Sequence, residues 1–262
     1  MSISSFAFSP GAPASQSSNL TDLEYIGHSV PDLAFGERFY LDGQHGGAYG
    51  KRIWASTLKY RRKRTSIYTA KDPRETWTPL PAMDKFFYDL GLLINEDDTF
   101  YLAYGTKIIS VATLTADGLK EVNSKVIYSS DEYLEGARMY NIKGLYYIWL
   151  TRPYGGQYVL QSTSGPLGPY ECRYVIGNVL SPIPGSGYSH QGALVDTPDR
   201  KWSYMAFMDG FPAGRDPVLA TVTFDDEGWP KVQIDHPVLP GAWPRQCPLP
   251  IGQTCQKSRN IS

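Results

Sequence analysis

Charge is scarce in this chain of 262 residues. Only 19% are charged, and 25 Lys and Arg nearly offset 26 Asp and Glu, leaving a formal net charge of −1. So balanced a chain presents no broad field of one sign, so neither nucleic acid nor an anionic membrane is an expected partner. The one basic run, Arg61-Arg62-Lys63-Arg64, is short and reads as a solvated loop. No apolar run approaches the ~20 residues needed to span a bilayer. The start, "MSISSFAFSPGAPASQSSNLT", lacks the charged residues and continuous apolar stretch of a secretory leader. Cysteine is scarce too. Cys172, Cys247 and Cys255 make no disulfide scaffold and have no metal-ligand spacing. Cys247 and Cys255 are close enough to bridge a short tail loop in an oxidising compartment, whereas Cys172 fits a small buried apolar residue. Two sequons, at Asn19 and Asn260, matter only if the chain is secreted. Long amphipathic helical patterns are hard to find.

What is abundant is aromatic residues and turn formers. Nineteen Tyr, ten Phe and six Trp, with 25 Gly and 20 Pro, suit short strands joined by tight turns. Three segments share one pattern, a polar turn followed by an aromatic and aliphatic run. They are "INEDDTFYLAYG" (94–105), "YNIKGLYYIWLT" (140–151) and "VDTPDRKWSYMAFMD" (195–209), with a weaker copy at 53–70. Tyr101, Tyr147 and Tyr204 recur at 46 and 57 residues, the length of a propeller blade. A β-sandwich with similar hairpins is the alternative, but it would carry denser turn signals.

Each hairpin follows a polar residue in an apolar or Gly-rich setting: Asp89 in "FFYDLGLL", Glu135 in "LEGARMY" and His190 in "GSGYSHQGALV". In a propeller the innermost strands line one channel, so equivalent positions of successive blades converge there. A carboxyl among apolar neighbours is poorly solvated, which disfavours its charged form. Glycosidic cleavage needs such an acid to protonate the leaving oxygen, and a second carboxylate to activate water or attack. Asp89 as a turn cap and Glu135 as a surface-loop charge are the plainer alternatives. His190 could organise water or an ion, while His28, His45 and His236 have no comparable setting.

Several segments, in order, carry a family resemblance. "DLEYIGHSVPDL", "RIWASTLKY", "YDLGLLINEDDTFYLAYG", "LEGARMYNIKGLYYIWLT", "STSGPLGPYE", "YSHQGALVDTPDRKWSYMAF" and "GRDPVLATVTFDDEGWPKV" together resemble glycoside hydrolase family 43, from about residue 20 to 235. Those enzymes act on arabinose- and xylose-containing polysaccharides. The resemblance implies an all-β, five-bladed β-propeller, here truncated to about four blades. It spans residues 19–240, between an unstructured segment 1–18 and a tail 241–262. Glu135 matches the general acid and Asp89 the residue that orients it. His190 matches an axial His that helps hold water or a calcium ion, Arg215 a residue bonding sugar hydroxyls, and Trp54 a wall of the sugar pocket. No cofactor is required, although a structural calcium ion at His190 is implied. The partner is an arabinose- or xylose-containing oligo- or polysaccharide, and the location is extracellular.

Two departures stand out. Nothing before residue 20 resembles the first blade, which carries the Asp that acts as base. Asp22, Asp32 and Asp42 are carboxylates without a matching motif. The basic run also replaces a hairpin strand between "LKY" and "YTA". Two further readings follow: a sugar-binding propeller that keeps Trp54 and Arg215 without the chemistry, and an incomplete gene model of a longer secreted enzyme.

Overall fold

The computed structural model describes residues 11–30, 37, 59, 68–80, 83, 85, 87–153, 155–177, 179, 188–210 and 214–234. The side chains of residues 11, 68, 69, 210 and 214–216 are outside that description. Every regular element among the described residues is a β-strand, and no helix is long and apolar enough to cross a membrane.

Three four-stranded antiparallel sheets follow one another along the chain. The first contains β5 (Gly91–Ile94), β6 (Phe100–Gly105), β7 (Ile108–Leu114) and β8 (Glu121–Ser129). The second contains β9 (Glu135–Ile142), β10 (Leu145–Arg152), β11 (Gly156–Ser162) and β12 (Glu171–Ile176). The third contains β13 (His190–Asp196), β14 (Trp202–Gly210), β15 (Gly214–Phe224) and β16 (Pro230–Gln233). In each, strands pair in sequence order. The three aromatic repeats supply the first hairpin of each sheet. The tightest is the turn between β9 and β10, where Lys143 and Gly144 both have positive φ (54° and 83°). Two consecutive positive φ values match the right-handed twist of the flanking strands.

Two two-stranded sheets precede these. β1 (Gly11–Gln16) pairs with β2 (Glu24–Val30), and β3 (Tyr68–Thr69) with β4 (Thr78–Pro79). β1 lies within the first 18 residues, where the sequence predicted no regular structure. Its Gly, Pro, Ala and Ser read locally as loop. In place, however, Ala12 and Ala14 are fully buried, and a partner strand overrides the weak local preference. The weaker repeat at 53–70 lies almost entirely outside the described residues.

The middle sheet is covered on both faces. Met139, Ile148, Leu150 and Leu160 pack with Leu93, Ala103, Ile109 and Val111 of the first sheet. Tyr140, Trp149 and Val159 pack with Leu194, Tyr204, Ala206 and Val222 of the third. Alternate residues of one strand therefore feed two different cores, which explains why "LYYIWLT" has no polar period. Cys172 is buried in the first of these cores, as the sequence suggested. It is also disulfide-bonded, which the sequence reading did not assign to it; its partner lies outside the described residues.

Candidate active site

The first strands of the three sheets, β5, β9 and β13, lie side by side. Gly91 permits the closest approach: a Cβ there would overlap the backbone carbonyl of Ala137 on β9. The N-terminal ends of these strands bring together Asp89, two residues before β5, Glu135, the first residue of β9, and His190, the first of β13.

Glu135 is buried, with 8% of its surface exposed. His190 Nε2 lies 3.2 Å from Glu135 Oε1, and the Gln191 side-chain amide donates to the same oxygen at 3.4 Å. The Tyr88 hydroxyl donates to Oε2 at 3.3 Å. Gln191 Nε2 also donates to Asp89 Oδ2 at 2.6 Å, so one nitrogen ties both carboxylates together. A hydrogen bond with Tyr133, then burial, then the nearby charges of Glu135 and Asp89 push the Tyr88 phenol well above its ordinary value. It therefore remains a neutral donor wherever the carboxylates are ionised.

The surroundings hold these groups in place. Thr151 on β10 faces Glu135 across a register shift between Trp149 and Thr151, a bulge of the kind that re-aims a neighbouring side chain. Thr151 Oγ1 donates to Gln157 Oε1 at 2.7 Å, and Trp149 Nε1 to the same oxygen at 3.2 Å, closing the floor beneath Glu135. His190 packs its ring on Phe207, its cross-strand partner, at 5.3 Å between centroids. Arg138, further along β9, donates to the carbonyl of Leu90 at 3.2 Å. Burial lowers its affinity for a proton, while Tyr140 and Asp89 act in the opposite direction.

Asp89, Glu135 and His190 thus occupy one site. The Arg215 backbone lies on β15, opposite Asp209 of β14, but its side chain is outside the described residues, as is all of Trp54. Asp22 lies in an exposed turn capped by Asn19, whose Oδ1 accepts from the Asp22 backbone N–H at 2.9 Å while its Nδ2 donates to Asp22 Oδ2 at 2.6 Å, and Asp32 and Asp42 are outside the described residues. Sequence reasoning passed over Tyr88, Arg138 and Gln191. Tyr88 and Gln191 are chain neighbours of chosen residues, the one signal that could have found them. As for calcium, among the described residues no three His, Cys, Asp or Glu side chains are grouped to hold a metal. Calcium takes about six to eight oxygen ligands, and His190 turns Nε2 toward Glu135.

The family profile of glycosyl hydrolases family 43 matches residues 1–230, so the match starts well before residue 20, where the motifs were first placed. A beta-xylosidase of Formosa agariphila is 27% identical over 278 residues, covering 87% of this chain and 46% of the relative. A non-reducing end alpha-L-arabinofuranosidase of Bacteroides ovatus is 26% identical over 268 residues, covering 88% and 49%. One similar solved structure superimposes with a TM-score of 0.80 at 42% identity, covering 89% of this chain and 50% of that one. It is a glycoside hydrolase of the same family, engineered in its active site, that displays both endo-xylanase and exo-arabinofuranosidase activity. The chain therefore spans about half the length of these relatives.

Proposed function

The chain belongs to glycosyl hydrolases family 43, and from that premise we propose that it releases terminal arabinofuranosyl or xylosyl units from hemicellulose, with Glu135 as the acid. The observation that carries this reading is the placement of Glu135: buried, at a strand end shared with Asp89 and His190, and contacted on both carboxyl oxygens. Glu135 gives its proton to the glycosidic oxygen as the bond from that oxygen to the anomeric carbon breaks. Water adds to the anomeric carbon and loses a proton to a carboxylate base, inverting the configuration. Asp89 orients the acid, and Trp54 and Arg215 hold the sugar, a flat apolar wall and a fixed guanidinium fork respectively. No step is assigned to a metal ion. The names of the relatives support a substrate built from xylose or arabinose, and a polymer of that kind would be met outside the cell. The three four-stranded sheets are read as consecutive blades of the family's propeller.

A second reading, a sugar-binding protein without turnover, draws on Asp22, the described member of the three N-terminal aspartates, which is exposed and bonded to Asn19 in a surface turn. Release of nitrophenol from aryl α-L-arabinofuranoside and aryl β-D-xyloside, beside Glu135→Gln, separates the two. The enzyme reading expects turnover that the substitution removes. Binding of arabinoxylan oligosaccharides without turnover, lost in Trp54→Ala, would replace it with the second reading.

A further inference from the structure

We propose that Gln191 is a positioning residue that locks Glu135 and Asp89 into one fixed arrangement; the inference deepens the reading of Glu135 as the acid and rests on it. The argument begins with strand geometry. Consecutive residues of a regular strand point to opposite faces. His190 and Gln191 are consecutive on β13, yet both reach the same oxygen of Glu135, at 3.2 and 3.4 Å. The register of β13 against β14 shifts between His190 and Ala193, and Gln191 has a φ of 45°. The bulge and the left-handed backbone turn the Gln191 side chain back toward the site instead of away from it.

A positive φ on a residue with a long side chain is costly, and such residues persist where their surroundings over-determine them. Here the partner is strained as well: Asp89 has a φ of 46°. Two non-glycine residues in the left-handed region, 102 positions apart in the chain, are thus joined by a 2.6 Å hydrogen bond. Gly136, with a φ of 71°, lies beneath them; a Cβ there would meet the Gln191 chain at an ordinary 3.5 Å. Two unusual backbone conformations, with a glycine beneath them, therefore meet at one amide.

The chemistry suits the role. A glutamine amide carries two N–H donors on one nitrogen and no charge. It can satisfy two carboxylates at once without placing a charge beside them, which a lysine could not do, and an ionised carboxylate has no donor to offer. The bond to Asp89 is the shorter, so Asp89 anchors the amide and the amide places Glu135. Gln191 acts through Glu135 and is not itself a catalytic residue.

The first test needs no turnover. Crystal structures of the protein and of Gln191→Met, which keeps the shape and removes both donors, are expected to differ in the Glu135 side chain and in the spacing of the two carboxylates. Glu135 and Asp89 unmoved in Gln191→Met would overturn the proposal. Should that variant not fold, the side-chain amide protons of Gln191 in the unaltered protein serve instead. Slow exchange with solvent is expected, and exchange as fast as that of an exposed glutamine would overturn it. The kinetic test compares Gln191→Met and Gln191→Glu with the unaltered protein on aryl glycosides. A misplaced acid predicts kcat lower by roughly 10- to 100-fold with KM within about twofold. The loss should be greater for poorer leaving groups, a pattern that general destabilisation does not produce. Equal kcat would contradict the proposal. Absence of turnover in the unaltered protein would count against the hydrolase reading, and the structural comparison would still decide the role of Gln191.

Discussion

The described residues of 87–234 and of 11–80 form sheets of different size. The first stretch contains three four-stranded sheets, of which the middle one is packed on both faces. The described part of the second contains two two-stranded sheets. Their carboxylates differ accordingly. Glu135 is buried with both of its oxygens engaged, whereas Asp22 is exposed in a turn that Asn19 caps. A proton donor must stay in place while charge develops next to it, and that fixity comes from strands which cannot move without opening two cores. The fixed placement of Glu135 is thus a product of the middle sheet.

The comparison can be pressed hardest at its two carboxylates. Asp89→Asn is expected to lower kcat by roughly 10- to 100-fold on aryl glycosides, at or below the low end of the roughly 10²- to 10⁴-fold that acid–base groups contribute. Asp22→Asn should leave it unchanged; steady-state kinetics on both variants would show whether the asymmetry is real. The same contrast holds for packing. Trp149, fully buried between the second and third sheets, should cost about 3–5 kcal/mol when replaced by Ala. Trp77, half-buried with its indole donating to the Pro73 carbonyl at 3.2 Å, should cost about 1 kcal/mol. Urea denaturation of both variants measures the difference.

Gly91→Ala sharpens the point where two sheets meet. Its Cβ would press on the Ala137 carbonyl, so β5 must move off β9 at a cost of about 1–3 kcal/mol. A thermal melt should register this, with a drop in turnover because Asp89 moves with β5. The smallest effect is expected at the hairpin between β9 and β10. Lys143→Gly relieves a positive φ and should change stability by about 1 kcal/mol or less, in the stabilising direction, with no effect on turnover.

Much of this was legible in the sequence, and for identifiable reasons. Asp89, Glu135 and His190 were each marked by a polar residue standing just before an aromatic hairpin, and the repeat of that pattern implied that they would meet. The hairpins themselves were announced by turn residues. Gln191 was not legible, because alternation along β13 would send it to the face opposite His190. Only the bulge brings it back, and its one sequence signal, Gly192 within the strand, was not read as a bulge. β1 was missed because Gly, Ala and Pro favour a loop until a partner strand pairs with them. The family motifs also marked Trp54 and Arg215, which pattern alone gave no reason to choose and whose side chains lie outside the described residues.

The central claim, that Glu135 delivers the proton, is tested most directly by the dependence of rate on leaving group. Rates of the protein and of Glu135→Gln would be measured on aryl β-D-xylosides and aryl α-L-arabinofuranosides whose phenols span a wide range of acidity. If Glu135 is the acid, the substitution should cost roughly 10²- to 10⁴-fold for the least acidic phenols. It should cost far less for the most acidic, which depart without help. An equal loss across the series would mean that Glu135 supports the site without donating the proton.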